Sequence, residues 1–231
     1  VNVIVNFLTV FSKIVRIFLF CFKLMAFFLS DVCYNQNSRI GGINLDKKQL
    51  RKEIICLRDA LSVAERNDKA EIIIKKLLAT ELYQKANHIM LFAAFGSELN
   101  LLPLLETIIK EGKHAYLPVV DKKTNRILPI EVHNLEDLKP GCYGIPEPSL
   151  DSYQETTPDL LDLIITPAVA FDIDKYRIGY GAGYYDRFFV SLKKDILKIG
   201  VGFDEQLISE VPREPHDIQL DYVLTDKRFI K

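Results

Sequence analysis

The chain has 231 residues, of which 48% are hydrophobic and 26% are charged, and its formal net charge is −1. This length fits one domain of ordinary size, and the near-zero charge excludes general nucleic-acid binding through a basic surface. The cysteines form no Cys-x-x-Cys pair, which excludes a zinc site of the usual spacing and favours reduced thiols in the cytoplasm over a disulfide framework.

Residues 1–30 form an apolar segment without any acidic residue. Lys13, Arg16 and Lys23 cut its apolar runs to about 12 residues or fewer, short of the ~20 that a membrane-spanning helix needs. On a helix these cations fall within about 80° of one another. The pattern therefore favours a helix that makes loose contact with a membrane interface over one that spans it.

Three interpretations of this segment stay open: a loose surface anchor, an upstream extension of the reading frame that is not made in the cell, or a signal peptide. The signal peptide is the least favoured, because charges interrupt the apolar region and no clear cleavage site follows. Val1 in place of an initial methionine suits the second interpretation. We expect residues 1–42 to be an apolar, basic extension and linker, and residues 43–231 to form an α/β domain.

A capping-box pattern at residues 46–49 opens the first helix of that domain. Four apolar residues follow at helical spacing and predict a buried stripe. They are Leu50, Ile54, Leu57 and Leu61. On the same helix Lys47, Arg51 and Arg58 lie within about 40° of one another, beside the stripe. Such a row of cations is either a solvated basic face or an anion site at the edge of the core.

The rest of the chain alternates helices with short apolar strands. Helices are predicted at 62–80, 101–111 and 187–192, and strands at 88–95, 114–120, 126–133, 161–166, 198–203 and 222–225. This alternation predicts an α/β fold with a mostly parallel sheet covered by helices on both faces, in three layers. Ligands of such folds bind beyond the carboxyl ends of the strands, so residues that follow strands, such as Glu98, are expected to cluster there.

Residues 177–186 read Arg-Ile-Gly-Tyr-Gly-Ala-Gly-Tyr-Tyr-Asp, and we call residues 177–183 the glycine loop. Glycines at alternate positions clear one side of the backbone, so its N–H groups can approach an anion. The helix predicted at 187–192 would place the loop at a helix N-terminus, where phosphates bind. By itself Gly-x-Gly-x-Gly is also typical of a tight strand-to-helix turn, and it is neither a Walker A loop nor a dinucleotide fingerprint.

The decapeptide resembles a motif of the 5-formyltetrahydrofolate cyclo-ligase family, also called 5,10-methenyltetrahydrofolate synthetase. That motif is Arg-Leu-Gly-(Tyr/Arg)-Gly-x-Gly-Tyr-Tyr-Asp, and here Ile178 replaces Leu and Ala182 fills the variable position. Residues 47–51, Lys-Lys-Gln-Leu-Arg, are similar to the family's Lys-x-x-Leu-Arg, whose Lys and Arg contact ATP phosphates. The resemblance covers residues 47–225.

The resemblance implies an ATP-dependent ligase that converts 5-formyltetrahydrofolate to 5,10-methenyltetrahydrofolate, with ATP as co-substrate and Mg²⁺ as cofactor. The ATP-binding residues that it implies are Lys47, Lys48, Gln49, Leu50, Arg51, Arg177, Ile178, Gly179, Tyr180, Gly181, Ala182, Gly183, Tyr184 and Tyr185. Three of these, Lys47, Arg177 and Tyr184, would take part in catalysis.

Folate and metal ligands follow from the same resemblance. Glu98, Ala93 and Tyr184 would bind the folate, and Asp186 and Asp217 would bind Mg²⁺. A glutamate can accept two N–H groups of a pterin. From the residues alone, Glu98 is equally expected as a helix cap, and Asp186 as a helix-start residue.

Two other classes of function stay open. One is a sugar-phosphate isomerase or CoA-transferase-like enzyme, which would need neither ATP nor magnesium. The other is a folate-binding or membrane-tethered protein without catalysis, which uses the basic N-terminal segment. We expect a monomeric, cytoplasmic protein that binds no nucleic acid.

Overall fold

The computed structural model describes residues 46–121, 123–141, 146–148 and 156–231, which belong to one compact unit. The interface helix, extension and linker predicted for residues 1–42 lie outside the described residues. Among the helices of the described part, none is both long enough and apolar enough to cross a membrane.

The described chain alternates helices and strands. Its α-helices are α1 Lys47–Asp59, α2 Val63–Leu78, α3 Glu81–Lys85, α4 Leu102–Lys110 and α5 Tyr184–Ser191. Its strands are β1 His88–Met90, β2 His114–Asp121, β3 Arg126–Val132, β4 Leu138–Pro140, β5 Pro146–Pro148, β6 Leu163–Thr166, β7 Ala170–Phe171, β8 Arg177–Ile178, β9 Leu197–Val201, β10 Tyr222–Leu224 and β11 Phe229–Ile230.

Seven strands form the central sheet in the order β11-β10-β9-β6-β1-β2-β3. The five inner strands are parallel, and β3 and β11 pair antiparallel at the two edges. Leu163 and Ile165 of β6 pack in one apolar cluster with α2 and α4, whereas Ile164 packs in a second cluster with Phe188 and Phe189 of α5. Because successive side chains of a strand point to opposite faces, helices cover both faces of the sheet. The predicted α/β fold with a mostly parallel sheet is confirmed.

Capping side chains fix where the first helices begin. The Asp46 carboxylate accepts from the Lys48 backbone N–H before α1, and Ser62 and Glu65 form a reciprocal capping box before α2. The helix predicted at 62–80 is confirmed as α2, which ends at Leu78, and the Thr80 hydroxyl then caps the short helix α3, which was not predicted, by accepting from Tyr83 N–H. A polar side chain that offers the backbone a new cap ends the longer helix there.

The strand predicted at 88–95 is shorter in the structure. It pairs as β1 over three residues, makes one more backbone bond from Leu91 N–H to the Tyr116 carbonyl, and then leaves the sheet. Gly96 has a φ of 61°, a left-handed value that turns the chain before Glu98. Glu98 lies in this turn and does not cap α4, which begins four residues later.

A two-stranded hairpin, β7–β8, leads into the glycine loop and was not predicted. Phe171 of β7 lies against the backbone of β9, where a Cβ added at Gly200 would clash with its ring and come within 2.7 Å of Leu220. The other side of the hairpin packs against α1, since Leu50 and Ile54 share a buried cluster with Ala170. The hairpin therefore joins α1, the sheet and the glycine loop.

Candidate active site

The glycine loop connects β8 to α5 and lies under the side chain of Arg51. Gly181 and Gly183 have φ values of 104° and 65°, a region that side chains rarely adopt. The Nε group of Arg51 donates to the Gly179 carbonyl over 2.8 Å, and a Cβ at Gly181 would lie 3.5 Å from the Arg51 guanidinium carbon. The structure thus brings Arg51 to the loop, and Gly183 is the residue that precedes α5.

Lys47, at the start of α1, binds a second loop, residues 214–217, which precedes β10. Its Nζ lies 2.8 Å from Asp217 Oδ2 and 3.0 Å from Glu214 Oε1. Burial opposes protonation of Lys47, but hydrogen bonds and attraction from the two carboxylates outweigh it and raise its pKa. Burial likewise opposes ionisation of Asp217, yet bonds from Lys47 and the Glu214 backbone lower its pKa.

Arg177 is buried beneath the loop, with 7% of its surface exposed. Its Nη2 donates to Asp186 Oδ1 and its Nη1 to the Ile218 carbonyl, both over 2.8 Å. Burial lowers the pKa of Arg177, and the neighbouring Asp186 carboxylate opposes this shift. Ile218 also donates its N–H to Asp186 Oδ1 over 3.2 Å. Because Ile218 follows Asp217, this network ties Asp186 to the segment that carries Asp217.

Glu98 meets the glycine loop through Tyr180. The Tyr180 hydroxyl donates to Glu98 Oε1 over 2.8 Å, and Phe95 N–H donates to Oε2 over 2.9 Å. Burial raises the pKa of the Glu98 carboxyl, although these bonds and the charge of Arg58 act in the opposite direction. Burial and the Glu98 charge together raise the pKa of Tyr180 to about 12.

Arg58 belongs to this arrangement, although the sequence placed it only in a row of cations. Its side chain is 3% exposed, and its Nε and Nη2 groups donate to Ser97 Oγ and the Tyr180 hydroxyl, each over 2.9 Å. The spacing of seven residues from Arg51, two helical turns, was the signal in the sequence that it faces the same site.

The two tyrosines that follow the loop have different surroundings. The Arg187 guanidinium carbon lies 5.1 Å from the centre of the Tyr184 ring, a cation–π contact at the surface. The Tyr185 hydroxyl is buried without a hydrogen-bond partner among the described residues, and burial and the nearby Glu98 charge raise its pKa. The Tyr185 ring lies 5.9 Å from that of Phe189, in the apolar cluster on the α5 face of the sheet.

A cavity of about 280 Å³ opens beside Glu98. It is lined by Val63, Arg66, Asn67, Ala94, Gly96, Glu98, Asn100, Leu102 and Pro146. Ala93, which the resemblance implied for the folate pocket, is not among these residues. It packs against the apolar cluster of α2 and α4, and its neighbour Ala94 lines the cavity instead.

The remaining implied ATP ligands are spread between core and surface. The side chains of Leu50 and Ile178 are buried in the cluster under the hairpin, so only their backbones can serve a ligand. Lys48 and Gln49 are exposed, and Gln49 donates to Glu53 on the next turn. The Ala182 carbonyl accepts from Arg187.

The two predicted metal ligands, Asp186 and Asp217, each keep part of their carboxylate free. Within the described ranges no group of three or more His, Cys, Asp or Glu residues could hold a metal ion. Asp186 Oδ1 and Asp217 Oδ2 are each engaged by a cation and a backbone N–H, which leaves one oxygen of each carboxylate available. Two carboxylate oxygens fit Mg²⁺ only when phosphate oxygens and water complete the usual six ligands.

Comparison with known proteins identifies the family. A family model described as the 5-formyltetrahydrofolate cyclo-ligase family matches residues 43–226. The chain belongs to this family.

Relatives match over nearly their whole length. A probable 5-formyltetrahydrofolate cyclo-ligase of Caenorhabditis elegans is 30% identical over 196 residues, which cover 80% of this chain and 94% of the relative. The 5-formyltetrahydrofolate cyclo-ligase of Mycolicibacterium smegmatis is 31% identical, with 80% and 95% covered. The solved structure of 5,10-methenyltetrahydrofolate synthetase from Aquifex aeolicus is 35% identical, with a TM-score of 0.70, and the match covers 79% of this chain and 91% of that one.

The Lys47–Asp217 pair predicts a pH dependence of stability. The pKa of Asp217 is lowered in the folded chain from its usual 3.8, so the pair contributes stability above that pH and loses it as the pH falls through the folded value. We expect Asp217→Asn to unfold more readily in urea at pH 7 and to lose less stability than the parent chain between pH 5 and pH 2. Equal losses in both proteins would contradict the pairing.

Proposed function

We propose that this chain catalyses the ATP-dependent cyclisation of 5-formyltetrahydrofolate to 5,10-methenyltetrahydrofolate, with release of ADP and phosphate. One observation carries the proposal beyond family membership. The glycine loop, suited to phosphate, and Glu98, a buried carboxylate suited to a pterin, are joined by the single hydroxyl of Tyr180. A nucleotide and a folate bound to these groups would meet at Tyr180.

The reaction needs phosphoryl activation because an amide oxygen is a poor leaving group. The formyl oxygen attacks the γ-phosphorus and releases ADP, which gives an imidate-like phosphate. N10 then attacks the formyl carbon and gives up its proton, and the C–O bond breaks as phosphate leaves. The work of the protein is to position the two substrates and to neutralise charge on the phosphates.

Charge neutralisation falls to α1 and the glycine loop. Arg51 uses Nε to hold Gly179, and its terminal nitrogens make no hydrogen bond to the described residues, so they can serve a phosphate. Lys47 adds a second cation, and the backbone N–H groups of residues 179–183 add donors. Arg177 has both terminal nitrogens occupied in the protein, so we assign it the positioning of Asp186 instead of direct contact with phosphate.

Glu98 and the tyrosines supply the folate site. Each oxygen of Glu98 has accepted a protein hydrogen bond and retains capacity for another, which suits the paired N–H groups of a pterin. Tyr184 offers a ring at the surface beside the loop. Tyr185 offers a buried hydroxyl that lacks a partner within the described chain.

Asp186 and Asp217 are our candidates for Mg²⁺ ligands, together with phosphate oxygens of ATP. The ion would supply charge neutralisation to the phosphates. We also propose that the enzyme is a cytoplasmic monomer, because one chain supplies every group named here and Cys56 is an exposed free thiol. Loose membrane contact through residues 1–30 is part of the proposal.

The direct test is an assay of the full chain with 5-formyltetrahydrofolate, followed by the absorbance of the methenyl product. We expect a rise in absorbance that requires both ATP and Mg²⁺. Turnover of a sugar phosphate or CoA ester without ATP would favour the isomerase or transferase class. Folate binding without turnover of folded protein would favour a binding protein.

Arg51→Ala tests the phosphate assignment, with the exposed neighbour Lys52→Ala as its matched control. We expect the KM for ATP to rise about tenfold or more, because hydrogen bonds to charged groups are lost. The KM for folate should change little, and Lys52→Ala should resemble the parent chain. Equal increases in both KM values would remove Arg51 from the phosphate site.

Asp186→Asn tests the metal assignment while it keeps an acceptor for Arg177. We expect a folded protein whose kcat falls about a hundredfold and whose demand for Mg²⁺ rises, because a metal ion contributes several kcal/mol of charge stabilisation. The control is Asp174→Asn, an exposed carboxylate paired with Arg213. Normal turnover of Asp186→Asn at low Mg²⁺ would rule out this ligand.

A further inference from the structure

Arg58 is a buried cation in contact with both halves of the proposed site. It projects from α1, donates to Ser97 beside Glu98, and donates to Tyr180 in the glycine loop. Ser97 in turn donates its hydroxyl to Asp59. Burying a guanidinium costs free energy unless its donors are satisfied, so the partners of each nitrogen of Arg58 matter for its role.

One donor of Arg58 is not satisfied by a hydrogen bond. Nη1 is buried and has no hydrogen-bond partner among the described residues, and it lies 3.8 Å from Glu98 Oε1. At this distance it acts on Glu98 as a nearby charge in a region of low dielectric. The same Glu98 oxygen accepts from the Tyr180 hydroxyl, which itself accepts from Arg58 Nη2. Arg58, Tyr180 and Glu98 therefore form a closed triangle.

We propose that Arg58 is a positioning residue that stabilises the charge of Glu98 and holds Glu98 and Tyr180 in the geometry that binds folate. It does not touch substrate, because its side chain is 3% exposed. The inference rests on the proposed function for its kinetic consequences. Its electrostatic part concerns Glu98 alone and can be measured without any substrate.

The charges around Glu98 set the direction of the expected pH effect. The charged and titratable groups around it are Arg58 and, through Ser97, Asp59 from α1, Tyr180 from the glycine loop, Tyr185 from α5, and Arg66 of α2, which lines the same cavity. Of the two cations, Arg58 is the one paired with Glu98, at 3.8 Å. Burial already raises the pKa of Glu98, and loss of Arg58 would raise it further. A protonated Glu98 could no longer accept from both N–H groups of a pterin.

The first experiment is a carbon-13 NMR titration of the Glu98 side-chain carboxyl, assigned by its loss in Glu98→Gln. We expect the Glu98 midpoint to move to higher pH in Arg58→Met and to stay near the parent value in Arg58→Lys. The control is Lys198→Met. This variant removes another buried cation, which lies at the start of β9 and is paired with Asp221. An unchanged midpoint in folded Arg58→Met would overturn the inference.

Kinetics then test the positioning role in the full chain. We expect Arg58→Met to raise the KM for folate about tenfold, the usual scale for a bond to a charged group, with a smaller change in the KM for ATP. The acidic limb of kcat/KM for folate should move to higher pH, and Arg58→Lys should restore part of both effects. If Arg58 is merely structural, Arg58→Met would lower stability but leave unchanged the ratio of the KM for folate to the KM for ATP and the acidic limb of the pH profile.

Two further variants separate the possible failures. Tyr180→Phe changes a residue that is 47% exposed, so it should fold even if Arg58→Met does not, and it should also raise the Glu98 midpoint and the KM for folate. In a chain that already carries Glu98→Gln, adding Arg58→Met should raise the KM for folate little further, since the two residues act together. An inactive parent chain would contradict the proposed function. If the parent is active and the increases in the KM for folate simply add in the double variant, the role of Arg58 is contradicted instead.

Discussion

The site depends on the apolar contact between α1 and the β7–β8 hairpin. Leu50 and Ile54 bury one side of α1 against Ala170 and the strand that leads into the glycine loop. This contact fixes the rotation of the helix, and a rotation of a helix fixes every side chain on it. The row of cations beside the apolar stripe is thereby directed at three different segments, each at a different height along the helix.

Each of the three cations of that row binds an oxygen atom of a segment distant in sequence. Lys47 contacts Asp217, Arg51 contacts a carbonyl of the loop, and Arg58 contacts Tyr180 and Glu98. Arg58 is the most buried of the three, with a side chain 3% exposed against 18% for Lys47. A partly exposed cation can exchange its protein partner for a phosphate, whereas a buried one can only position its neighbours.

The sequence predicted those parts of the fold that have a period or a motif. The helical stripe of α1, the alternation of helices and strands, and the loop before α5 all have such signals, although Leu57 of the predicted stripe is exposed in the structure. The β7–β8 hairpin and β11 do not, because strands of two residues are too short to show an alternation. Their pairing depends on contacts distant in sequence.

Within the candidate site, residue types were predictable but burial was not. A guanidinium at position 177 could face the loop or lie beneath it, and only the packing against Phe189 and Ile218 decides that it lies beneath. In the same way, Ala93 and Ala94 are equivalent in sequence, and the point where β1 leaves the sheet determines which one lines the cavity. Such choices depend on tertiary packing.

Gly200 has a consequence for how the glycine loop is held in register with the sheet. Because Gly200 has no side chain at that point of β9, the Phe171 ring lies directly on the strand backbone. The thickness of the Phe171 ring therefore sets the distance between β9 and the β7–β8 hairpin, which leads into the glycine loop. A methyl group at position 200 would separate the Phe171 ring from the strand, and it would displace the glycine loop relative to Glu98 without changing a residue of either.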